Sequence, residues 1–178
     1  MDKTDNLTII YNKYVDDLFA YGTNLGFDSD IVKDSIHDIF VKIAFEQNTF
    51  SNIVNVKFYL LKSLKNKLLD SYKTERKKIS LDNINIDNEL EFNIDVNIED
   101  LLIKEEDRDD IKNNLQNMLD VLTDRQREII YLRYIQEYSY EEISELLEIS
   151  VHGCRKLMSR AISTLREKFI YLLAILII

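Results

Sequence analysis

Apolar residues recur at helical spacing along most of the chain, and the interruptions divide it into elements. Ile10, Tyr14, Leu18, Tyr21 and Leu25 form one stripe, predicting a helix over Thr8–Leu25 that Gly26 stops. Asp28 or Ser29 caps the next helix, which runs to about Glu46. Its apolar face is Val32, Ile36, Ile39, Phe40 and Ile43, and its other face carries Asp34, His37, Asp38 and Lys42. A third helix from about Asn55 to Lys77 buries Phe58, Leu61, Leu64, Leu68 and Tyr72. Lysines and Arg76 crowd its remaining surface. Three helices of this length can enclose one core.

From Ile79 to Asp110 the helical period is lost. Asp82–Asp95 reads as an extended linker, with helix expected at most near Asn97–Asp109. Order returns at Ile111–Leu122, where Leu115, Met118, Leu119 and Leu122 share a face. Thr123 and Gln126 then form a capping box, opening a helix through Ile129, Ile130 and Leu132 to Tyr134.

Ser139–Arg166 reads as two helices joined by a tight turn. Ser139 with Glu142 is a second capping box, Ile143, Leu146 and Leu147 give the first helix an apolar face, and Ser150 is the next N-cap. On a helical wheel, Val151, Cys154, Leu157, Met158, Ala161, Ile162 and Leu165 fall on one side of the second helix. His152, Arg155, Lys156, Ser159 and Ser163 fall opposite, with Arg160 at the edge. A helix pair whose second member buries one face and offers cations and hydroxyls on the other is the helix-turn-helix arrangement. The plainer reading is an amphipathic hairpin with a solvated basic face.

Composition narrows the class. With no Pro, three Gly and no Trp in 178 residues, an all-α protein with short connections is expected. One cysteine excludes an internal disulfide, and two histidines cannot form a zinc-ligand cluster. The N-terminal residues lack the charged-then-apolar pattern of a signal peptide, which predicts a cytoplasmic protein.

Charge changes the picture more. The net of −9 appears wrong for a DNA-binding protein until it is located. Residues 81–112 hold 12 acidic and 3 basic residues, so the whole excess sits in one segment. By contrast Lys57–Lys78 holds 8 basic and 2 acidic residues, and Arg155–Lys168 holds 5 and 1. Two basic patches flank an acidic strip, which could equally be a solvated tether.

Catalysis finds no support: there is no Gly-rich phosphate loop, no Ser/His/Asp spacing and no metal-ligand spacing, so no cofactor is expected. His37 and His152 read as surface residues, and Cys154 as a packed core thiol. Nucleic-acid binding fits better. Arg155, Lys156, Ser159 and Arg160 can reach phosphates and base edges from a helix in the major groove. The helix around Lys62–Lys77 sets dense positive charge beside Tyr59, Asn66 and Tyr72, which suits single-stranded or melting DNA. A solvated lysine face with Tyr72 in the core is the competing reading there.

Three stretches carry a resemblance. Asp34-Ser-Ile-His-Asp38-Ile-Phe40-Val-Lys42-Ile is similar to the polymerase-clamp-binding helix of sigma-70-family RNA polymerase sigma factors of the small extracytoplasmic-function (ECF) type. Leu64-Lys65-Asn66-Lys-Leu-Leu-Asp70-Ser-Tyr-Lys73 resembles the family's −10-element-binding motif Arg-Asn-x-x-x-Asp-x-x-Arg. Leu122-Thr-Asp-Arg125-Gln-Arg-Glu128-Ile-Ile through Ser159-Arg160-Ala161 resembles its four-helix −35-binding domain. The sequence departs from the family at His37, where Gln is frequent, and at Lys65 and Lys73, where Arg is usual. Gly153-Cys154 stands where Thr-Val is frequent.

The resemblance implies two small helical domains joined by a flexible acidic linker. The first is an N-terminal three-to-four-helix bundle at 1–80, which would bind core polymerase and the −10 element. The linker is 81–112, the helix-turn-helix domain is 113–168, and an apolar tail of ten uncharged residues occupies 169–178. It implies a non-enzymatic factor whose partners are core RNA polymerase and promoter DNA. Lys62, Lys65, Asn66, Asp70, Tyr72, Lys73 and Arg76 would hold the −10 region. His152, Arg155, Lys156, Ser159 and Arg160 would hold the −35 region, and Asp34, His37, Asp38, Ile39 and Phe40 would serve the polymerase contact. The acidic linker would then enter the polymerase's positively lined channel. The tail is too short to span a bilayer. It is expected to extend the last helix and pack, or to meet a partner such as an anti-sigma protein, or a membrane surface. Two other readings remain: a stand-alone helix-turn-helix regulator, and a helical protein-binding adaptor.

Overall fold

A computed structural model describes residues 3–45, 53–79, 91–94 and 105–176, with side chains described for 6–45, 53–74, 91–94 and 112–168. These residues are all-helical, in two compact units, 1–91 and 92–178.

The first unit is built from α1 (Lys3–Asn24), α2 (Ser29–Phe45) and α3 (Val56–Ile79), which pack pairwise. The starts of α2 and α3 have local causes. Asp28 Oδ1 accepts from the Asp30 amide at 2.8 Å, and Asn55 Oδ1 accepts from the Phe58 amide at 3.1 Å, each satisfying a donor the helix leaves unpaired. Gly26 ends the first turn with φ +81°, and a Cβ there would stand 3.0 Å from the Glu91 carbonyl oxygen. The three stripes meet in a core of Leu18, Tyr21, Leu25, Val32, Ile36, Ile39, Phe40, Ile43, Leu60, Leu61, Leu64 and Leu68. Gly22 lets α1 and α2 approach closely: a Cβ would fall 2.6 Å from Val32 Cγ1.

The second unit contains α4 (Glu105–Leu119), α5 (Asp124–Ile130), α6 (Tyr140–Leu147) and α7 (Val151–Leu176). The α4 helix begins earlier than the apolar period alone indicates. Thr123 caps α5 with the expected reciprocal box: its hydroxyl accepts from the Gln126 amide and Gln126 Oε1 from the Thr123 amide. Past Ile130 the helix widens into a π-turn over Tyr131–Ile135, closed by Gln136 N–H donating to the Tyr131 carbonyl. Glu137 then takes φ 59° and the chain turns into α6. Ser139 and Glu142 close the second capping box. Glu148, at φ 53°, forms the turn before Ser150, whose hydroxyl accepts from the Gly153 amide.

Ile129, Leu132, Ile143, Leu146, Leu147, Cys154, Met158 and Ala161 form this unit's core. Arg125 donates to the Leu147 carbonyl at 3.3 Å, tying α5 to the end of α6. Two residues of the acidic strip join this core. Phe92 is 2% exposed, its amide donates to Asp124 Oδ1 at 3.0 Å, and its ring meets Tyr131 edge-on with centroids 5.6 Å apart; Ile94 is also buried. The backbone of α7 stays helical to Leu176, while the side chains of the tail lie outside the described residues. Among the described residues, no helix is long and apolar enough to cross a membrane.

Candidate nucleic-acid interface

The α3 residues Asn66, Asp70 and Lys73 are exposed, and Lys62 and Tyr72 are half-buried. Asn66 and Asp70, four residues apart, open onto a cleft of about 700 Å³ between α2 and α3. From α3 the cleft also takes Tyr59, Ser63, Lys67, Ser71 and Thr74, and from α2 it takes Asp38, Ile39, Lys42 and Ile43. An amide, two carboxylates, hydroxyls, a phenol and two lysines around an apolar floor can receive a planar polar group, with the lysines at hand for a phosphate beside it.

Lys67 crosses the cleft to Asp38 at 2.8 Å. The hydrogen bond and the charge of that ammonium hold the Asp38 carboxyl below its ordinary pKa. Tyr72 meets Phe27 edge-on with centroids 6.2 Å apart.

Two placements refine the sequence reading. Lys65 is only 9% exposed, between the buried Leu61 and Leu68 on the inner stripe. The signal was available: position 65 is four residues after Leu61 and three before Leu68. On α2, Asp34, His37 and Asp38 are exposed, whereas Ile39 and Phe40 are each 7% exposed. Phe40 packs edge-on against Tyr11, with centroids 5.0 Å apart. The side chain of Arg76 lies outside the described residues.

In the second unit, His152, Arg155, Lys156, Ser159 and Arg160 are all exposed along α7, while Cys154, Met158 and Ala161 are buried on its inner side. Burial pushes the Cys154 thiol pKa up. Gly153 leaves a gap in the exposed row, and a Cβ there would meet Ser150 Oγ at 3.3 Å. Ile162 differs from its wheel position: it is 37% exposed and lines a recess of about 400 Å³ with Tyr140, Arg155, Met158, Ser159, Ser163 and Arg166. Tyr140 and Arg166 had no sign in the helix periodicity, because the recess forms only where α6 meets α7.

The fold and these faces define a class: a two-unit all-helical protein with a helix-turn-helix in its second unit. Residues 112–165 match the family model described as Sigma-70, region 4. The ECF RNA polymerase sigma factor SigM of Bacillus subtilis is 21% identical over 160 residues, covering 90% of this chain and 93% of that protein. The RNA polymerase sigma-B factor of the same organism is 36% identical over 93 residues, 49% of this chain, and this chain spans only 36% of that relative's length. A solved structure of the sigma factor RpoE of Bartonella quintana, in complex with the anti-sigma factor NepR, has a similar fold. It superposes with a TM-score of 0.58 at 19% identity, over 92% of this chain and 94% of that one. Residues 112–165 are thus a Sigma-70 region 4 domain, and the chain as a whole is distantly similar to an ECF sigma factor in sequence and to a sigma factor in fold. The family is non-enzymatic.

Proposed function

We propose that this chain is a sigma factor that binds core RNA polymerase and directs promoter recognition, DNA opening and transcription initiation. The observation that carries the reading is the exposed row His152, Arg155, Lys156, Ser159 and Arg160 on α7, within the segment that matches region 4. That row would clamp and read the −35 region. The α2–α3 cleft, with Asn66 and Asp70 at its rim and Tyr59 and Lys67 in its wall, would hold the unstacked −10 region. Lys62, Tyr72, Lys73 and Arg76 would follow the backbone alongside, and the buried Lys65 would act by supporting that face. Asp34, His37 and Asp38 would meet polymerase directly, with Ile39 and Phe40 shaping their helix from inside.

The limits we assign are 1–80 for polymerase and −10 binding, 81–112 for the linker, whose Phe92 and Ile94 are anchored in the second unit, 113–168 for −35 binding and 169–178 for the tail. The acidic excess of 81–112 would be drawn into a positively lined polymerase channel. An anti-sigma protein is a further candidate partner, as the similar RpoE was crystallised with one. Such work places the protein in the cytoplasm.

Run-off transcription with purified core polymerase and genomic DNA tests the reading. Discrete transcripts that need both components are expected. Tight, specific duplex binding by the chain alone, without transcripts, would point to a stand-alone regulator instead.

A further inference from the structure

The exposed row on α7 has a support that belongs to another helix. Arg155 makes no ion pair and no hydrogen bond among the described residues; its guanidinium carbon lies 5.6 Å from the centre of the Tyr140 ring. Arg133, on the π-turn, lies 5.1 Å from the centre of the same ring and donates to the Tyr138 carbonyl at 2.7 Å. The π-turn and the positive φ of Glu137 thus bring Arg133 back onto the first residue of α6. The Ser139 capping box fixes that residue from the other side.

We propose that Tyr140 is a positioning residue for DNA binding: its ring, shared with Arg133, holds the Arg155 guanidinium ready for a backbone phosphate of duplex DNA. The proposal rests on the duplex-binding reading of α7. A long cation on an exposed helix face loses rotamer freedom when it grips a ligand, and an aromatic shelf reduces that loss beforehand. The ring contact consumes no hydrogen bond of Arg155, which leaves its N–H groups for an acceptor. Two cations at one ring also concentrate positive potential there. The neighbouring recess favours phosphate over a base edge as the acceptor. Ser159 offers a hydroxyl and Arg166 adds a second cation, suited to an anion with several oxygens, while the Ser163 hydroxyl, one turn on, donates to Glu167 Oε1 at 3.4 Å.

The test uses holoenzyme reconstituted from core RNA polymerase and the full chain, on the 40-bp duplex that wild-type holoenzyme enriches from a random-sequence pool. Arg155→Ala is expected to weaken binding about tenfold, in line with loss of a charged hydrogen bond. Tyr140→Leu should weaken it roughly two- to fivefold, the range of a cation–π contact, while Tyr140→Phe stays within about twofold of wild type. In the Arg155→Ala background Tyr140→Leu should add almost nothing, whereas with Lys156→Ala its effect should multiply in full. Tyr140→Leu should also lower the steepness of the salt dependence by about one ion.

Equal effects of Tyr140→Leu in both backgrounds would make Tyr140 a merely structural residue and overturn the proposal. So would a Phe variant as weak as the Leu variant. An unchanged salt slope with relaxed base preference would overturn the phosphate assignment. If Arg155→Ala itself leaves binding intact, the duplex reading of α7 fails, an outcome distinct from failure of the Tyr140 proposal alone.

Discussion

Gly22 shows how one missing atom sets a helix crossing. A methyl there would stand 2.6 Å from Val32 Cγ1, 2.9 Å from Val32 Cγ2 and 3.4 Å from Leu68 Cδ1, and Val32 is fully buried with a stiff β-branched side chain. Alanine improves helix propensity by about 1 kcal/mol, but overpacking of this kind costs about 1–3 kcal/mol. Gly22→Ala is therefore expected to lower the urea midpoint without changing the m-value. Combining it with Val32→Ala should cost less than the two changes summed, since the new methyl then fills the space the valine leaves. Cys154 offers the opposite lesson. It is the chain's only cysteine, fully buried, with a thiol pKa raised by burial. Since the thiolate is the reactive form, iodoacetamide should label it on the order of 100-fold more slowly in the native protein than in denaturant. Labelling at the unfolded rate without denaturant would contradict that core placement.

Elements were legible where their cause is local. Both capping boxes, Thr123 with Gln126 and Ser139 with Glu142, need only four consecutive residues, and both form as the sequence indicates. Ser139→Ala should cost about 0.5–2 kcal/mol, as loss of an N-cap does, measured as a shift in thermal midpoint. Elements whose causes lie elsewhere in the chain were not legible. The α2–α3 cleft depends on two helices packing at one angle, and the place of Tyr140 depends on a π-turn with no periodic signature. The apolar stripe of α7 predicts a side that faces core along its full length, yet Ile162 opens onto the recess beside Arg166. The helix-turn-helix turn itself departs from expectation in a testable way. Glu148 adopts φ 53° and ψ 38° there, a conformation that costs a residue with a Cβ about 1–2 kcal/mol. Glycine removes that cost while losing part of the gain to chain entropy, so Glu148→Gly should stabilise the protein by about 0.5–1 kcal/mol.

At the scale of the whole molecule, the acidic strip reads differently from a free tether at one point. Its net charge is strongly acidic, yet Phe92 and Ile94 are apolar residues at alternate positions, and both are buried in the second unit. The Phe92 amide on Asp124 and its ring on Tyr131 join them to the start of α5 and to the π-turn, the same turn that carries Arg133 to Tyr140. Removing a buried phenylalanine costs about 3–5 kcal/mol, a large fraction of the stability of a small helical domain. Phe92→Ala should therefore unfold the second unit at lower denaturant, whereas a residue of a solvated tether would leave stability unchanged. Cys154 makes the location of the effect measurable, because its protection reports that unit alone. In a urea series, Phe92→Ala should bring the onset of Cys154 alkylation to lower urea, while Gly22→Ala, which strains the first unit, should leave that onset in place. Equal shifts for the two variants would show the units to unfold as one. No shift for Phe92→Ala would return residues 92–94 to the role of linker.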